Sequence, residues 1–161
     1  MEHSLVVGRA PSVLDSASFL SMWRLKKFAG LSATEQQLLL QTALAVGAIR
    51  LALWLLPFSS VQERVSRASG KAHQSHPVER IVWAVRAVSR CVPAATCLTQ
   101  AMAGQLMLAR SGHASRVQIG VAKDDNRRFE AHAWLVCGER IVLGGIIAER
   151  YVPLTTWEAR N

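Results

Sequence analysis

The chain has 161 residues, of which 50% are hydrophobic and 19% are charged, with 19 Lys and Arg against 11 Asp and Glu. This composition excludes a disordered polar chain, and the length favours one domain with a real core over two independent domains. The net charge of +8 raises the encounter rate with acidic partners but identifies none of them.

The cysteine content indicates the redox compartment. The chain has three cysteines, Cys91, Cys97 and Cys137, an odd and small number that does not make a disulfide framework. The first fourteen residues also lack the basic start, apolar centre and small-residue cleavage site of a secretory signal. We therefore expect a cytoplasmic protein.

The domain boundaries follow from changes in composition. Residues 1–22 contain Gly, Pro and several Ser without a sustained period, so we expect a flexible N-terminal tail. Residues 23–161 are predicted to form a single domain whose N-terminal part, 23–70, is helical. A loop rich in Ser, Arg and His, predicted over Ser66–Ser75, separates this helical part from the rest.

One segment has the length and apolarity of a membrane-spanning helix. Leu38 to Phe58 reads LLLQTALAVGAIRLALWLLPF, close to the roughly 20 apolar residues that a spanning helix needs. Gln41, Thr42 and Arg50 interrupt it, and a central Arg is costly in a bilayer. The interruptions favour a core or partner-binding helix that ends at Pro57, with capping residues over Ser32–Glu35, and we expect no membrane association.

Two further helices are predicted before the pattern changes. Pro77 suits the first turn of a helix that continues to about Arg90, with valines and an isoleucine on one face. Thr96 is a suitable N-cap for the next helix, so Cys97 falls in its first turn, and this helix ends near Gly112.

Period-two patterns follow. Three strands are predicted, over Arg116–Val121, Glu130–Cys137 and Arg140–Leu143. A turn is predicted over Asp124–Asn126, between the first two strands. The sequence therefore predicts an α+β fold, with N-terminal helices followed by an antiparallel sheet.

Cys97 and His132 are the candidate catalytic residues. The first turn of a helix favours a thiolate through free N–H groups and the positive end of the dipole. His132 lies in a predicted strand that can pack across the start of that helix, and it shares a strand face with Trp134. Each residue alone is typical of a structural role, a small buried thiol or a strand histidine, but their placement together favours a nucleophile and a general base.

Longer segments carry a family resemblance. The stretch VPAATCLTQAMAGQLMLARSGHASRVQIGVAKD, followed by FEAHAWLVCGERIVLGG and YVPL, resembles the B2 leader peptidases of lasso-peptide biosynthesis, which belong to the transglutaminase-like superfamily. The likeness extends over Trp23 to Leu154. It implies a transglutaminase-like, papain-like cysteine protease core in which Cys97 of TCL is the nucleophile and His132 of HAW is the base.

The resemblance also implies an acid as the third member of a triad, on the strand after the histidine. That strand reads IVLGG, and Gly144 stands where the carboxylate is expected. The nearby acids Asp125, Glu139 and Glu149 do not match the position. A backbone carbonyl or an amide can also orient the imidazole, so the third member stays open.

The implied function is removal of the leader peptide from a ribosomally made lasso-peptide precursor through an acyl-enzyme. The implied partners are the precursor, a separate peptide-recognition subunit of the B1 type and an ATP-dependent macrolactam synthetase, with no nucleic acid and no cofactor. Three alternatives stay open: an acyltransferase of the same superfamily, a non-catalytic peptide-binding module and a membrane-associated basic protein.

A metal site finds little support. His73, His76, Cys91 and His113 are scattered along the chain without C-x-x-C or H-x-x-x-H spacing, so no metal is predicted. Cys91 and Cys137 are interpreted as packing residues.

Overall fold

A computed structural model describes residues 30–67, 76–123, 128–145 and 150–158 of the chain. In these ranges four helices precede four strands, which confirms the predicted α+β fold. The elements are α1 (Ala33–Leu55), α2 (Phe58–Arg67), α3 (Val78–Ser89), α4 (Cys97–Arg110), β1 (Ser115–Lys123), β2 (Phe129–Cys137), β3 (Arg140–Leu143) and β4 (Val152–Glu158).

The chain divides into two compact units, with the boundary between Gln36 and Gln37. In the first unit, Ser32 and Glu35 form a capping box: the Ser32 N–H donates to Glu35 Oε2 at 3.1 Å, and the Glu35 N–H donates to Ser32 Oγ at 3.3 Å. The predicted start of the first helix is therefore confirmed. The predicted tail over 1–22 lies outside the described residues.

In the second unit, the four strands form one antiparallel sheet in the order β3-β2-β1-β4. β1 and β2 pair from Ser115 opposite Cys137 to Lys123 opposite Phe129. Gly138, with φ of 58°, occupies the tight turn between β2 and β3. The meander of the first three strands matches the prediction, whereas β4 was not predicted; it pairs with the free side of β1.

Two predicted boundaries in the helical part are wrong. The sequence predicts that the long helix ends at Pro57, but α1 ends at Leu55. It also predicts a loop from Ser66, but a second helix, α2, extends to Arg67. Val61 and Val65 supply the buried side of α2 at i, i+4 spacing. The rest of the predicted loop and the Asp124–Asn126 turn lie outside the described ranges.

The hydrophobic core lies between the helices and one face of the sheet. Its largest fully buried members include Leu38, Ile81, Met102, Leu108 and Leu135. α4 approaches the sheet closely at Gly104, where an added Cβ would come within 2.6 Å of Leu135 Cδ2 and 2.7 Å of Leu143 Cδ1. This close approach fixes the distance between α4 and the strands that carry the candidate site.

A buried amide joins α4 to β4. Gln105 is fully buried; its Nε2 donates to the carbonyl of Trp157 at 3.3 Å, and its Oε1 accepts from Trp157 Nε1 at 3.1 Å. The Trp157 ring also meets Phe58 of α2 edge to face, with centroids 5.5 Å apart. Because a buried amide without partners is costly, this reciprocal pair specifies where β4 lies.

α1 is long and apolar enough to cross a membrane, but core helices of soluble proteins can have the same length and apolarity. Its buried side includes Thr42, whose hydroxyl donates to the Leu38 carbonyl at 2.7 Å. On other sides large apolar residues are exposed: Leu40, Leu44, Leu51, Trp54 and Leu55. We call this set the α1 apolar surface.

Candidate active site

Cys97 is the first residue of α4, as predicted. Thr96 caps the helix: its backbone is extended and its Oγ1 accepts the Thr99 N–H at 3.3 Å. Ala94, in the preceding turn, has a positive φ of 56°, which turns the chain sharply into the helix. The half-buried thiol thus lies at the start of α4, beside its backbone N–H groups and the positive end of its dipole.

His132 lies in β2 and is anchored through one ring nitrogen. Its Nε2 is 2.9 Å from the backbone oxygen of Gly144. A carbonyl oxygen only accepts, so Nε2 carries the proton and donates. In the neutral ring Nδ1 is then the acceptor, which is the atom available to take a proton. The position where the resemblance implies a carboxylate is therefore occupied by a main-chain carbonyl that orients the ring.

Gly144 is required for this anchor. Its φ of 75° lies in the left-handed region, and a Cβ there would come within 2.8 Å of the Ala133 oxygen. The chain after β3 can therefore pass close to β2 only with glycine at this position. The proximity brings the Gly144 carbonyl within reach of His132.

An aromatic cluster surrounds the imidazole. The ring of Trp134 stacks near that of His132, with centroids 6.2 Å apart, which confirms that the two share a strand face. The indole Nε1 donates to Gln118 Oε1 at 2.7 Å. A Cβ on Gly120, opposite His132 in β1, would come within 2.8 Å of the indole. These contacts hold the indole beside the ring.

Tyr151 was not predicted as part of the site. Its ring centroid is 5.2 Å from that of His132, and its hydroxyl donates to Glu130 Oε2 at 3.2 Å. Burial raises the pKa of the Tyr151 phenol most; the hydrogen bond to Glu130, the charge of Glu130 and Cys97 raise it further, while Arg150 opposes them. Tyr151 therefore lies beside His132.

Cys97 and His132 have different packing neighbours among the described residues. Cys97 packs against the main core, whereas Trp134, Val136 and Tyr151 form a second apolar cluster on the other face of the sheet. Within the described ranges, no hydrogen bond joins the Cys97 thiol to the imidazole. Tyr151 contacts His132, and the catalytic roles of Cys97 and His132 stay a prediction.

Most of the chain matches one known protein family. Residues 40–156, most of the chain, match the family described as the transglutaminase-like superfamily. The chain belongs to that superfamily. Comparisons with curated proteins and with solved structures gave no match.

In this transglutaminase-like domain a hollow of about 360 Å³ adjoins the start of α4. Thr96 and Leu98, the neighbours of Cys97 in the chain, line it together with Arg50 of α1 and Ile119 of β1. Arg50, which the sequence suggested only as an interruption of an apolar helix, thus supplies a positive charge to this hollow. The hollow is wide enough for a substrate side chain.

The other cysteines of the superfamily domain lie elsewhere. Cys137 is half-buried, packs against the core and donates to the Ala114 carbonyl at 3.4 Å. Burial and, secondarily, Glu79 raise the pKa of its thiol, with Arg140 opposing. Cys91 is exposed, so its interpretation as a packing residue is wrong; its thiol donates to the Ala87 carbonyl at 3.7 Å.

Of the scattered histidines in the described ranges, His113 has a structural partner, whereas the buried Nε2 of His76 has no hydrogen-bond partner. His113 Nε2 donates to the backbone oxygen of His76 at 2.7 Å and so joins the start of α3 to the turn after α4. Over the described residues, no group of three or more His, Cys, Asp or Glu could hold a metal ion. His73, Asp125 and Glu149 fall outside those residues, and Glu139 is exposed in the β2–β3 turn.

Proposed function

We propose that this transglutaminase-like domain is a cysteine peptidase in which Cys97 is the nucleophile and Nδ1 of His132 is the general base. One observation carries the proposal: the Gly144 carbonyl binds Nε2–H, which leaves Nδ1 as the acceptor of the ring. The capped helix start that carries Cys97 supports it, because helix N-termini are places where reactive cysteines occur in proteins.

The proposed reaction has two halves. Nδ1 takes the thiol proton, Cys97 Sγ attacks the scissile carbonyl, and the peptide C–N bond breaks as His132 returns the proton to the leaving amine. Water then attacks the thioester, with His132 again taking a proton, and a free carboxyl product and the thiol result. The Cys97 N–H at the helix start is our candidate oxyanion donor.

The thiol and imidazole must approach each other before the reaction. Catalytic hydrogen bonds in enzymes without substrate are often long and shorten only in the substrate complex. Tyr151, whose ring centroid is 5.2 Å from that of His132, would lie beside such an approach. We infer that substrate binding in the hollow beside Cys97 brings the two groups together.

We propose a ribosomally made lasso-peptide precursor as the substrate, cut between leader and core. The TCL and HAW segments around Cys97 and His132 support this assignment through their resemblance to the B2 leader peptidases. The released core would then pass to an ATP-dependent macrolactam synthetase. The reducing cytoplasm suits a reaction that needs a free thiol.

The decisive experiment combines the purified chain, the recognition subunit and the precursor, and analyses the products by mass spectrometry. We expect cleavage at one bond with the wild type and with Cys91→Ala, and none with Cys97→Ala or His132→Ala. Equal cleavage by Cys97→Ala would contradict the proposed nucleophile. Addition of a small primary amine distinguishes hydrolysis from acyl transfer, because a transferase would yield the amide in place of the free carboxyl product.

The α1 apolar surface is the candidate docking site for the recognition subunit, since exposed apolar patches mark interfaces. Leu44 and Trp54 are each 75% exposed, so Leu44→Gln and Trp54→Gln should leave the fold intact. We expect both to weaken binding of the recognition subunit, whereas Leu154→Gln, on an exposed side chain of β4, should not. Unchanged binding, together with pelleting of the wild type on lipid vesicles, would favour a membrane-associated role.

A further inference from the structure

A groove of about 490 Å³ lies between α3 and β3 and shares no lining residue with the hollow beside Cys97. The lining residues that matter here are Glu79, Trp83, Arg86 and Arg90 on α3, and Arg140 and Ile141 on β3. The α3 residues recur at intervals of three and four, so they form one stripe along the helix.

The charge of this groove is predominantly positive. Three arginines line it against a single glutamate. Guanidinium groups bind carboxylates through two parallel N–H bonds, so the arrangement suits a ligand with several carboxylates. Glu79 alone cannot neutralise all three arginines.

The arginines remain available to a ligand. Arg140 and Glu79 form an ion pair at 3.8 Å, but their side chains are 81% and 73% exposed, so the pair contributes little stability. Arg86 uses one N–H to bind the Val142 carbonyl at 2.9 Å, and its guanidinium has four further N–H donors. Arg90 is exposed at the C-cap of α3.

The groove also offers apolar contacts and a sheet edge. Trp83 is 37% exposed and Ile141 is 43% exposed. Both apolar side chains are therefore accessible to a ligand in the groove. β3 is the outermost strand on its side of the sheet, so part of its main chain faces outward beside the groove. An extended chain fits such an edge better than a compact ligand does.

The length of the groove sets the length of the ligand. The α3 side runs from Val78 to Arg90, which at 1.5 Å per residue is about 18 Å of helix. An extended peptide rises about 3.3 Å per residue, so five or six residues span this length.

We propose that the groove between α3 and β3 binds an extended acidic peptide of five or six residues. Its carboxylates pair with Arg86, Arg90 and Arg140, and its alternate apolar side chains pack on Trp83 and Ile141. Nucleic acid fits less well, because single strands bind by stacking successive bases and Trp83 is the one aromatic residue among the lining residues. The binding does not depend on the proposed peptidase activity and can be measured with Cys97→Ala.

The probe is a fluorescein-labelled pentapeptide that alternates glutamate and valine, followed by fluorescence anisotropy with the full chain. We expect binding that weakens as salt is added, because the contacts are ionic. Arg90→Glu and Arg140→Glu should each raise Kd about fivefold or more. Trp83→Ala should also raise Kd while the circular dichroism spectrum stays unchanged.

Arg64→Glu is the matched control, since it makes the same charge change at an exposed position of α2 away from the groove. We expect wild-type affinity for this variant and no binding of a pentapeptide in which lysine replaces glutamate. If Arg64→Glu weakened binding as much as Arg90→Glu, net charge and not the groove would explain it. Equal competition by an oligothymidylate of the same charge, or no binding of the acidic peptide, would also overturn the proposal.

Discussion

The Nε2–H of His132 donates to the backbone oxygen of Gly144 across 2.9 Å. This bond orients the imidazole and selects its tautomer without adding a negative charge beside it. A carboxylate at the same place would do both and would also stabilise the imidazolium. The main chain therefore orients His132 at a position where the sequence has no acid.

Gly144→Ala should disturb the histidine anchor. A side chain at φ of 75° costs about 1–2 kcal/mol, and the new Cβ would collide with the Ala133 oxygen at 2.8 Å. We expect a lower free energy of unfolding in urea and, if the proposed peptidase activity holds, a lower kcat. The ¹⁵N spectrum of the imidazole should show a mixture of tautomers in place of the Nε2–H form.

Gly138→Ala is the control for backbone strain. Gly138 also has a positive φ, of 58°, but nothing lies within 4 Å of an added Cβ. This variant should lose free energy of unfolding through the strain of its left-handed backbone, and it should keep the wild-type imidazole spectrum. If the two variants had the same stability and the same spectrum, the Gly144 carbonyl would not be the anchor of His132.

The titration of Tyr151 should be displaced to high pH. Burial and the Glu130 carboxylate raise the pKa of its phenol above the ordinary 10.0. Because the folded state holds this proton more tightly than the unfolded chain does, the associated stability is fully present below pH 10 and is lost as the pH rises through the raised pKa. The chain has one tyrosine, so the tyrosinate absorbance reports this residue alone.

Glu130→Gln should lower the pKa of Tyr151 only part of the way, since burial is the largest cause and remains. Glu139→Gln, in the exposed β2–β3 turn, should leave that pKa unchanged. A wild-type pKa at or below the ordinary value would show that Tyr151 is not buried beside Glu130 as described.

Glycine-to-alanine changes in two helices should act in opposite directions. At Gly104 the added methyl meets two buried leucine side chains at 2.6 and 2.7 Å, so we expect a loss of about 1–3 kcal/mol in the free energy of unfolding. At Gly47 in α1 nothing lies within 4 Å, and relief of glycine's entropy cost should add about 0.5–1 kcal/mol. Urea unfolding of both variants measures the difference. A stabilising Gly104→Ala would mean that α4 packs less closely on the sheet.

Much of the fold could be predicted from local patterns. Thr96 predicted the start of α4 and Pro77 the start of α3, because caps and proline act through the chain immediately around them. The helix α2 was missed although Val61 and Val65 have helical spacing. The sequence predicts a helical part over 23–70 but no separate helix between Pro57 and the loop at Ser66.

The missed parts depend on contacts between distant residues. In β4 only Trp157 is buried, so no alternation marks the strand, which is specified by its pairing with β1. At Gly144 the sequence pattern shows only that a carboxylate is missing, whereas the backbone oxygen of this residue binds His132. Tyr151, just before β4, reaches His132 only because β4 pairs with β1. No local sequence pattern encodes that neighbour.

The bond between Gln105 and Trp157 has a consequence for synthesis of the chain. Gln105 leaves the ribosome 52 residues before its partner, and chains emerge from the N-terminus at roughly 5–20 residues per second. For some seconds the nascent helix therefore carries an amide that cannot be buried at low cost. Folding of the helix onto the sheet should finish only after Trp157 has emerged, so a nascent chain lacking the last strand would remain a client for chaperones.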